Sequence, residues 1–205
     1  DGTPPRGRRI SMAAEPSCAA AHGSHVPTTE EVVTGEGNTL ANVVVYVKSG
    51  LTGPAPAPSG SVELDQIGCL YVPRVLAVQT NQNIVIKNSD KTTHNVHPTP
   101  ANNREWNESQ PEGAPPITKT FPREEIAIPV KCNVHPWMKS YIAVIGHPYF
   151  AVSDNKGSFT IKNLPPGSYT LEAWHEKFGT QTLQVTVAAK EAKAADFTFK
   201  VTSGD

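Results

Sequence analysis

Hydrophobic residues along this chain gather in short β-rich runs, and almost no segment shows helical periodicity. The runs are Val43–Val47, Val75–Val78, Ile84–Lys87, Ile126–Val130, Tyr141–Ile145, Phe159–Ile161, Tyr169–Trp174, Thr182–Val187 and Phe197–Val201. Gly, Pro, Asn and Asp clusters punctuate them, as in SDNKG at 153–157 and LPPG at 164–167. Many short strands separated by such turns predict an all-β protein built from sandwiches or barrels. LTGPAPAPSG at 51–60 reads as a Pro/Gly linker, and the proline-rich stretch 98–120 reads as a long loop.

The last third follows a pattern of its own. FAVSDNKGSFTIKNLPPGSYTLEAWHEKFGTQTLQVTV gives a turn, a strand, a Pro-Pro-Gly turn, a strand, a glycine-marked bend and another strand. This resembles the carboxypeptidase regulatory-like, or transthyretin-like, β-sandwich. In that family a short apolar opening directly precedes the D-x-x-G-x-F turn. Here the matching opening, GNTLANVVVYVKSG, stands far earlier, at 37–50. An insertion accounts for the displacement: residues 1–60 and 147–205 would form one discontinuous sandwich, with 61–146 looped out as a second domain. Closing a long loop costs only ~0.6 kcal/mol per doubling of its length. Three consecutive pieces, with 1–60 a loose amino-terminal region, is the alternative.

The stretch between the two halves carries the chemistry. KCNVHPWMKSYIAVI at 131–145 sets a cysteine, a histidine and a methionine three residues apart and then runs into an apolar strand. Upstream, YVPRVLAVQTNQNIVIKNSDKTTHNV reads as two strands and a loop that delivers His94. Over most of 70–146 the chain resembles the cupredoxins, the blue-copper electron-transfer family. CNVHPWM is similar to the short Cys-x-x-His-x-x-Met loop of amicyanin, and THNV to the segment that carries the first histidine ligand in plastocyanin-like proteins. The resemblance implies a Greek-key β-sandwich and one type 1 copper ion held by His94, Cys132, His135 and Met138. A thiolate, two imidazoles and a weak axial thioether suit fast one-electron transfer. A dinuclear copper centre is disfavoured, because its loop needs a second cysteine.

Two histidines, His94 and His97, lie three apart in THNVHP, and the match of the following Asn favours His94. His97 is then a surface residue or supports the ligands from behind. Asn88, Asn95 and Asn133 are candidates for hydrogen bonds around the thiolate, with ordinary turn chemistry as the alternative. If the edge of His135 reaches the surface, Pro136 and Trp137 would form an apolar collar for a redox partner; core packing of Trp137 is the competing account. Cys18, His22 and His25 in CAAAHGSH also have ligand types, but no fourth ligand is evident. The triplet NES at 107–109 fits the glycosylation pattern only as a common coincidence. His147 and His175 read as structural or surface histidines.

Composition narrows the setting. Eighteen basic and nineteen acidic side chains leave the 205-residue chain near neutrality, without the basic field that nucleic acid attracts. No apolar run approaches the length of a membrane-spanning helix. With Cys132 in the loop, Cys18 and Cys69 remain as a candidate disulfide pair, which would imply an oxidising compartment; two free thiols in a cytosolic protein are the alternative. The chain starts at Asp1 and shows no signal peptide, so an export signal or lipid anchor would be invisible in it. His-Glu-x-x-His, Gly-x-Ser-x-Gly and phosphate-cradling glycine loops are all missing, and the expectation is that the chain is not an enzyme.

The resulting expectation is a periplasmic or extracellular electron carrier. It would exchange single electrons with a redox protein or a membrane-bound electron-transfer complex. A structural or assembly subunit that uses the cupredoxin fold as a metal-free scaffold is the alternative, and copper carriage or storage is a third.

Overall fold

The structure is a computed structural model, and it describes residues 1–201. In chain order the elements are α1 (Pro16–His22), β1 (Val44–Ser49), β2 (Ser61–Ile67), β3 (Leu70–Val72), β4 (Val75–Gln79), β5 (Asn83–Asn88), β6 (His94–Pro98), β7 (Glu108–Gln110), β8 (Ile117–Lys119), β9 (Glu125–Lys131), β10 (Lys139–Ile145), β11 (Phe150–Val152), β12 (Gly167–His175) and β13 (Gly179–Val187). Apart from α1 and one 3-10 turn at Glu36–Asn38, the described chain is all β. It divides into two compact units, each discontinuous in sequence.

The first unit comprises Asp1–Arg6, Glu31–Pro56 and the described part of His147–Asp205. Its sheet runs β11-β1-β12-β13, antiparallel throughout. Val45, Val47, Leu171, Ala173 and Val185 turn one face of the pleat into the core. Phe159–Ile161 and Phe197–Val201, expected as strands, form no strand. Their alternation still sends Phe159, Ile161, Phe197 and Phe199 onto that core. Among the described residues, 197–201 find a brief partner in Asp1, whose amino group donates to the Phe199 carbonyl while the Val201 N–H donates back. Phe199 is buried there and Phe159 and Phe197 are partly buried against it, and full burial of such a side chain is worth about 1.5–3 kcal/mol. The SDNKG turn is closed by Asp154, whose Oδ1 accepts from the Lys156 and Ser158 N–H groups. Gly157 completes that turn at φ +71°, and a Cβ there would stand 2.8 Å from Thr39 Cβ.

The second unit comprises Gly7–Glu30 and Ala57–Gly146. Two sheets, β3-β2-β5-β8 and β4-β10-β9-β6-β7, share one apolar core. Leu64, Tyr71, Ile84 and Ile86 line it from the first sheet; Val78, Val96, Ile128, Val130, Ile142 and Val144 line it from the second. Strand β10 lies between a parallel neighbour, β4, and an antiparallel one, β9, which is why it reads as an unbroken apolar run. A bulge opposite Ile142–Val144 holds Ala127 at φ +65°.

Residues 7–30, expected within the first sandwich, group instead with 57–146. Ile10 and Met12 are buried in the second unit's core, and Cys18 is bonded to Cys69. Pro16 at the helix start, three consecutive alanines and Gly23 at φ +58° after the last turn make α1 a short, well-bounded helix. The loop expected at 98–120 contains β7 and β8, and the segment around His94 is strand β6.

Candidate metal centre

Three chain segments converge at one end of the second unit. Strand β6 opens with His94, β9 ends just before Cys132, and β10 starts just after Met138. The turn between β9 and β10 closes on its own main chain: Met138 N–H donates to the His135 carbonyl at 2.9 Å and Cys132 N–H to the Met138 carbonyl at 3.3 Å. A chain that must return into the ladder within six residues holds its first, fourth and seventh positions close together. His94, His135 and Met138 are wholly buried, and Cys132 almost so.

The donor atoms face one another. His94 Nδ1 and His135 Nδ1 are 2.9 Å apart, and Cys132 Sγ lies 3.7 Å from His135 Nδ1. One atom from each of the three residues falls within 4.8 Å of the other two. A triangle of that size suits a single ion bound at about 2.0–2.3 Å from nitrogen and sulfur. Met138 contributes its side chain to the same buried cluster as Cys132. His97 stands outside the group, with Nδ1 3.1 Å from Asn133 Oδ1 and Nε2 2.5 Å from Glu105.

Hydrogen bonds fix this arrangement from behind. The Asn95 side-chain oxygen accepts the Asn133 N–H at 2.7 Å and the Cys132 thiol at 3.4 Å, while its amide donates to Asn107 at 2.6 Å. Asn107 of the NES triplet thus points to Asn95. The Tyr71 hydroxyl donates to the Asn95 carbonyl, which ties β3 to β6. Asn88 has turn chemistry instead: its amide donates to the Thr92 and Gln110 carbonyls.

Asp90, four residues before His94, joins the site without a sequence motif that marks it. Its Oδ2 lies 2.9 Å from His94 Nε2, and its two oxygens accept the Gly68 and Cys69 N–H groups at 2.7 Å. The spacing in SDKTTH was visible, but no local pattern ties Asp90 to Gly68 and Cys69. Burial pushes the Asp90 carboxyl up, yet the bond to His94 and those two N–H groups outweigh it and hold it below its ordinary value. For His94, burial disfavours the cation, but bonds to Asp90 and then Cys132 raise its pKa. Burial and then the neighbouring His94 charge lower that of His135. Burial also raises the Cys132 thiol, and the bonds from His94 and from three main-chain N–H groups reverse the direction, so its pKa falls below the usual thiol value. Loss of the Cys132 proton and a neutral His135 are both eased in this cluster, in the direction ligation requires, whereas His94 is shifted toward its cation.

The outer side of His135 is closed. Helix α1 brings Cys18 Sγ to 3.6 Å from His135 Nε2, and a Glu15 oxygen lies at 3.9 Å. Trp137 is half-buried, donates its indole N–H to the Cys69 carbonyl and sets its ring 5.2 Å from that of His135. The conditional collar of Pro136 and Trp137 around an exposed imidazole therefore has no exposed imidazole to surround, because the amino-terminal segment covers it. His22 faces the Gly68 carbonyl at 2.7 Å, and Cys18 is in the disulfide, so CAAAHGSH does not gather a metal group of its own. His147 holds the Val47 carbonyl at 2.8 Å, a structural contact.

Comparison with known proteins gives two results. Residues 140–200 match the family model of the carboxypeptidase regulatory-like domain. Solved copper proteins resemble the chain. A purple cupredoxin from Nitrosopumilus maritimus is 17% identical over 41% of this chain and 99% of its own, with a TM-score of 0.36. Amicyanin from Paracoccus versutus is 17% identical over 49% of this chain and 96% of its own, with a TM-score of 0.37. Both resemblances read from the sequence recur. A copper-containing nitrite reductase from Thermus scotoductus is 18% identical over 47% of this chain, with a TM-score of 0.38, and the chain spans only a quarter of that enzyme's length. No curated relative matches the chain. The nitrite reductase corrects one expectation: the solved structures that resemble the chain include an enzyme, so the expectation that the chain is not an enzyme does not stand.

Proposed function

We propose that the chain is an extracytoplasmic one-electron carrier with a single type 1 copper ion, bound by His94 Nδ1, Cys132 Sγ and His135 Nδ1 and faced by the Met138 thioether. The observation that carries this reading is the meeting of two imidazole Nδ1 atoms with the Cys132 sulfur in a buried loop. The bound ion would supply a Cu(II)/Cu(I) couple. Cys132 supplies the soft donor that favours the reduced ion, and the imidazoles tolerate the oxidised one. Asp90 and Asn95 hold the His94 ring and the Cys132 sulfur in place, so that little moves when the charge changes. The Cys18–Cys69 bond supports an oxidising location, periplasmic or extracellular. No helix among the described residues is long and apolar enough to cross a membrane. Its partner would be a redox protein or a membrane-bound electron-transfer complex. On this reading the copper unit interrupts a carboxypeptidase regulatory-like sandwich that serves docking.

The visible spectrum of the oxidised, copper-loaded protein tests the proposal. An intense Cu(II)–thiolate band, lost in Cys132→Ser and kept in His97→Ala, is expected. A colourless protein that takes up no copper overturns the proposal. One observation favours a second reading, a metal-free structural or assembly subunit: neither imidazole reaches solvent, so an electron must cross a closed shell. That reading requires the colourless result.

A further inference from the structure

His135 has two sides, and the proposed copper reading uses only one. Its Nδ1 faces Cys132 and His94, whereas Nε2 turns toward α1. There the described contacts are Cys18 Sγ at 3.6 Å and a Glu15 oxygen at 3.9 Å. Sulfur is a weak acceptor, and 3.9 Å lies beyond hydrogen-bond range. A wholly buried ring nitrogen normally has a better partner. Around this one stand two sulfurs: Cys18 Sγ, Cys69 Sγ and a His135 ring nitrogen all lie within 4.8 Å of one another, and all three residues are buried.

We propose that reduction of Cys18–Cys69 turns the cap over His135 into a second metal site, where two thiolates and Nε2 hold one soft d10 cation such as Cu(I). The reductant is a dithiol. Its thiolate attacks one sulfur, the Cys18–Cys69 bond breaks and a mixed disulfide forms. The reductant's second thiol then resolves that intermediate. Cys18 and Cys69 end as thiols, having gained two electrons and two protons, and the reductant leaves as its own disulfide. Binding one Cu(I) displaces both thiol protons. Two sulfurs and one imidazole nitrogen are a donor set that selects Cu(I) over harder ions. In the oxidised protein the sulfurs bond to each other and offer no thiolate, so the site belongs to the reduced state alone. The inference does not rest on the electron-carrier reading, because it needs neither Cys132 nor His94.

The test uses the full chain carrying Cys132→Ser, which silences the first group. The protein is treated with dithiothreitol, desalted without oxygen and titrated with Cu(I) against a chromogenic chelator, with near-ultraviolet circular dichroism recorded throughout. The oxidised variant should bind no Cu(I) in competition, and the reduced variant one equivalent with native dichroism. X-ray absorption should then show two sulfur neighbours and one nitrogen. Adding Cys18→Ser and Cys69→Ser should abolish uptake, and adding His135→Ala should weaken it by at least about tenfold. The proposal is overturned if the reduced variant takes up no copper, takes it up only with loss of the native dichroism, or binds it equally well without His135. None of these outcomes alters the visible band expected of the unmutated protein, so the two readings fail separately.

Discussion

Two buried histidines, one in each unit, show how differently the same side chain is used. His175, at the end of β12, stacks on Phe178 with ring centres 5.0 Å apart and has Phe199 at 6.2 Å, while its Nδ1 accepts the Lys177 N–H. Its described neighbours include aromatic carbon and main chain. His135 is equally hidden, yet it faces a thiol, a second imidazole and a disulfide sulfur. The contrast extends to the units around them. In the first, Ser153 spends its hydroxyl on the Val43 N–H and the Leu40 carbonyl, and Glu172 is taken by Tyr46 and Lys48. In the second, Asp90, Asn95, His94 and Cys132 converge on one point. Described buried polarity in the first unit ends in main chain and in a tyrosine and a lysine, none of them common metal ligands, whereas in the second it ends in a cluster of imidazole, carboxylate and thiol.

Exchanging each histidine breaks the comparison most directly. His175→Ala should lower stability by about 3 kcal/mol, the scale for emptying an aromatic core position, while copper uptake stays stoichiometric. His135→Ala should do the reverse for the metal: the rise in thermal midpoint on copper loading should vanish. Any ligand that binds the folded state at a hundred times its dissociation constant adds about 2.7 kcal/mol. Calorimetry of apo and loaded forms separates the two, and a His175→Ala protein that loses the copper-induced rise would refute the division.

A smaller effect is expected from Asn95→Ala. It leaves the Asn133 N–H without its described acceptor and removes the contact to Cys132, which should cost about 2 kcal/mol. Broadening of the Cu(II)–thiolate band should accompany it if Asn95 orients the sulfur; an unchanged spectrum would reduce Asn95 to a purely structural residue. Smaller still, Ala127→Gly should stabilise by up to about 1 kcal/mol, because a left-handed backbone strains alanine. Denaturant melts check this, and an unchanged copper spectrum would show that the bulge in β9 does not reach the Cys132 end of the strand.

The least of these effects is local and depends on pH. The Glu125 carboxylate feels a raising influence from burial, outweighed by the N–H groups of Ala101, Asn102 and Asn103 and the Asn103 amide, so its folded pKa lies below the ordinary 4.5. The unfolded state then binds the proton more readily. The contribution is complete above about 4.5 and fades as pH falls through the lower folded value. Amide exchange at 101–103 should quicken over that acid range, and in Glu125→Gln it should already be fast at neutral pH.

The strands were legible where short-range patterning and long-range pairing agree, as in β10 and β12. They were not where the two diverge. Phe197–Val201 keeps the alternation of a strand but lacks a ladder partner of matching length. Strand β6 hides in polar residues, because HNVHP is ordered by β7 and β9 and not by its own propensity. At the site, Cys132, His135 and Met138 sit on one turn, so their spacing, together with the resemblance to cupredoxins, made them candidates from sequence. Asp90 and the Cys18 cap depend on contacts across 21 and 117 positions, which no local pattern encodes. The cap also removes the condition on which a collar of Pro136 and Trp137 depended, since a seven-residue helix far upstream lies against His135.

Trp137 donates to the Cys69 carbonyl while its ring rests beside His135. Its indole excited state therefore lies within quenching range of whatever His135 and the Cys18–Cys69 pair do. A change in metal or sulfur oxidation would register as a change in native emission, without any attached dye.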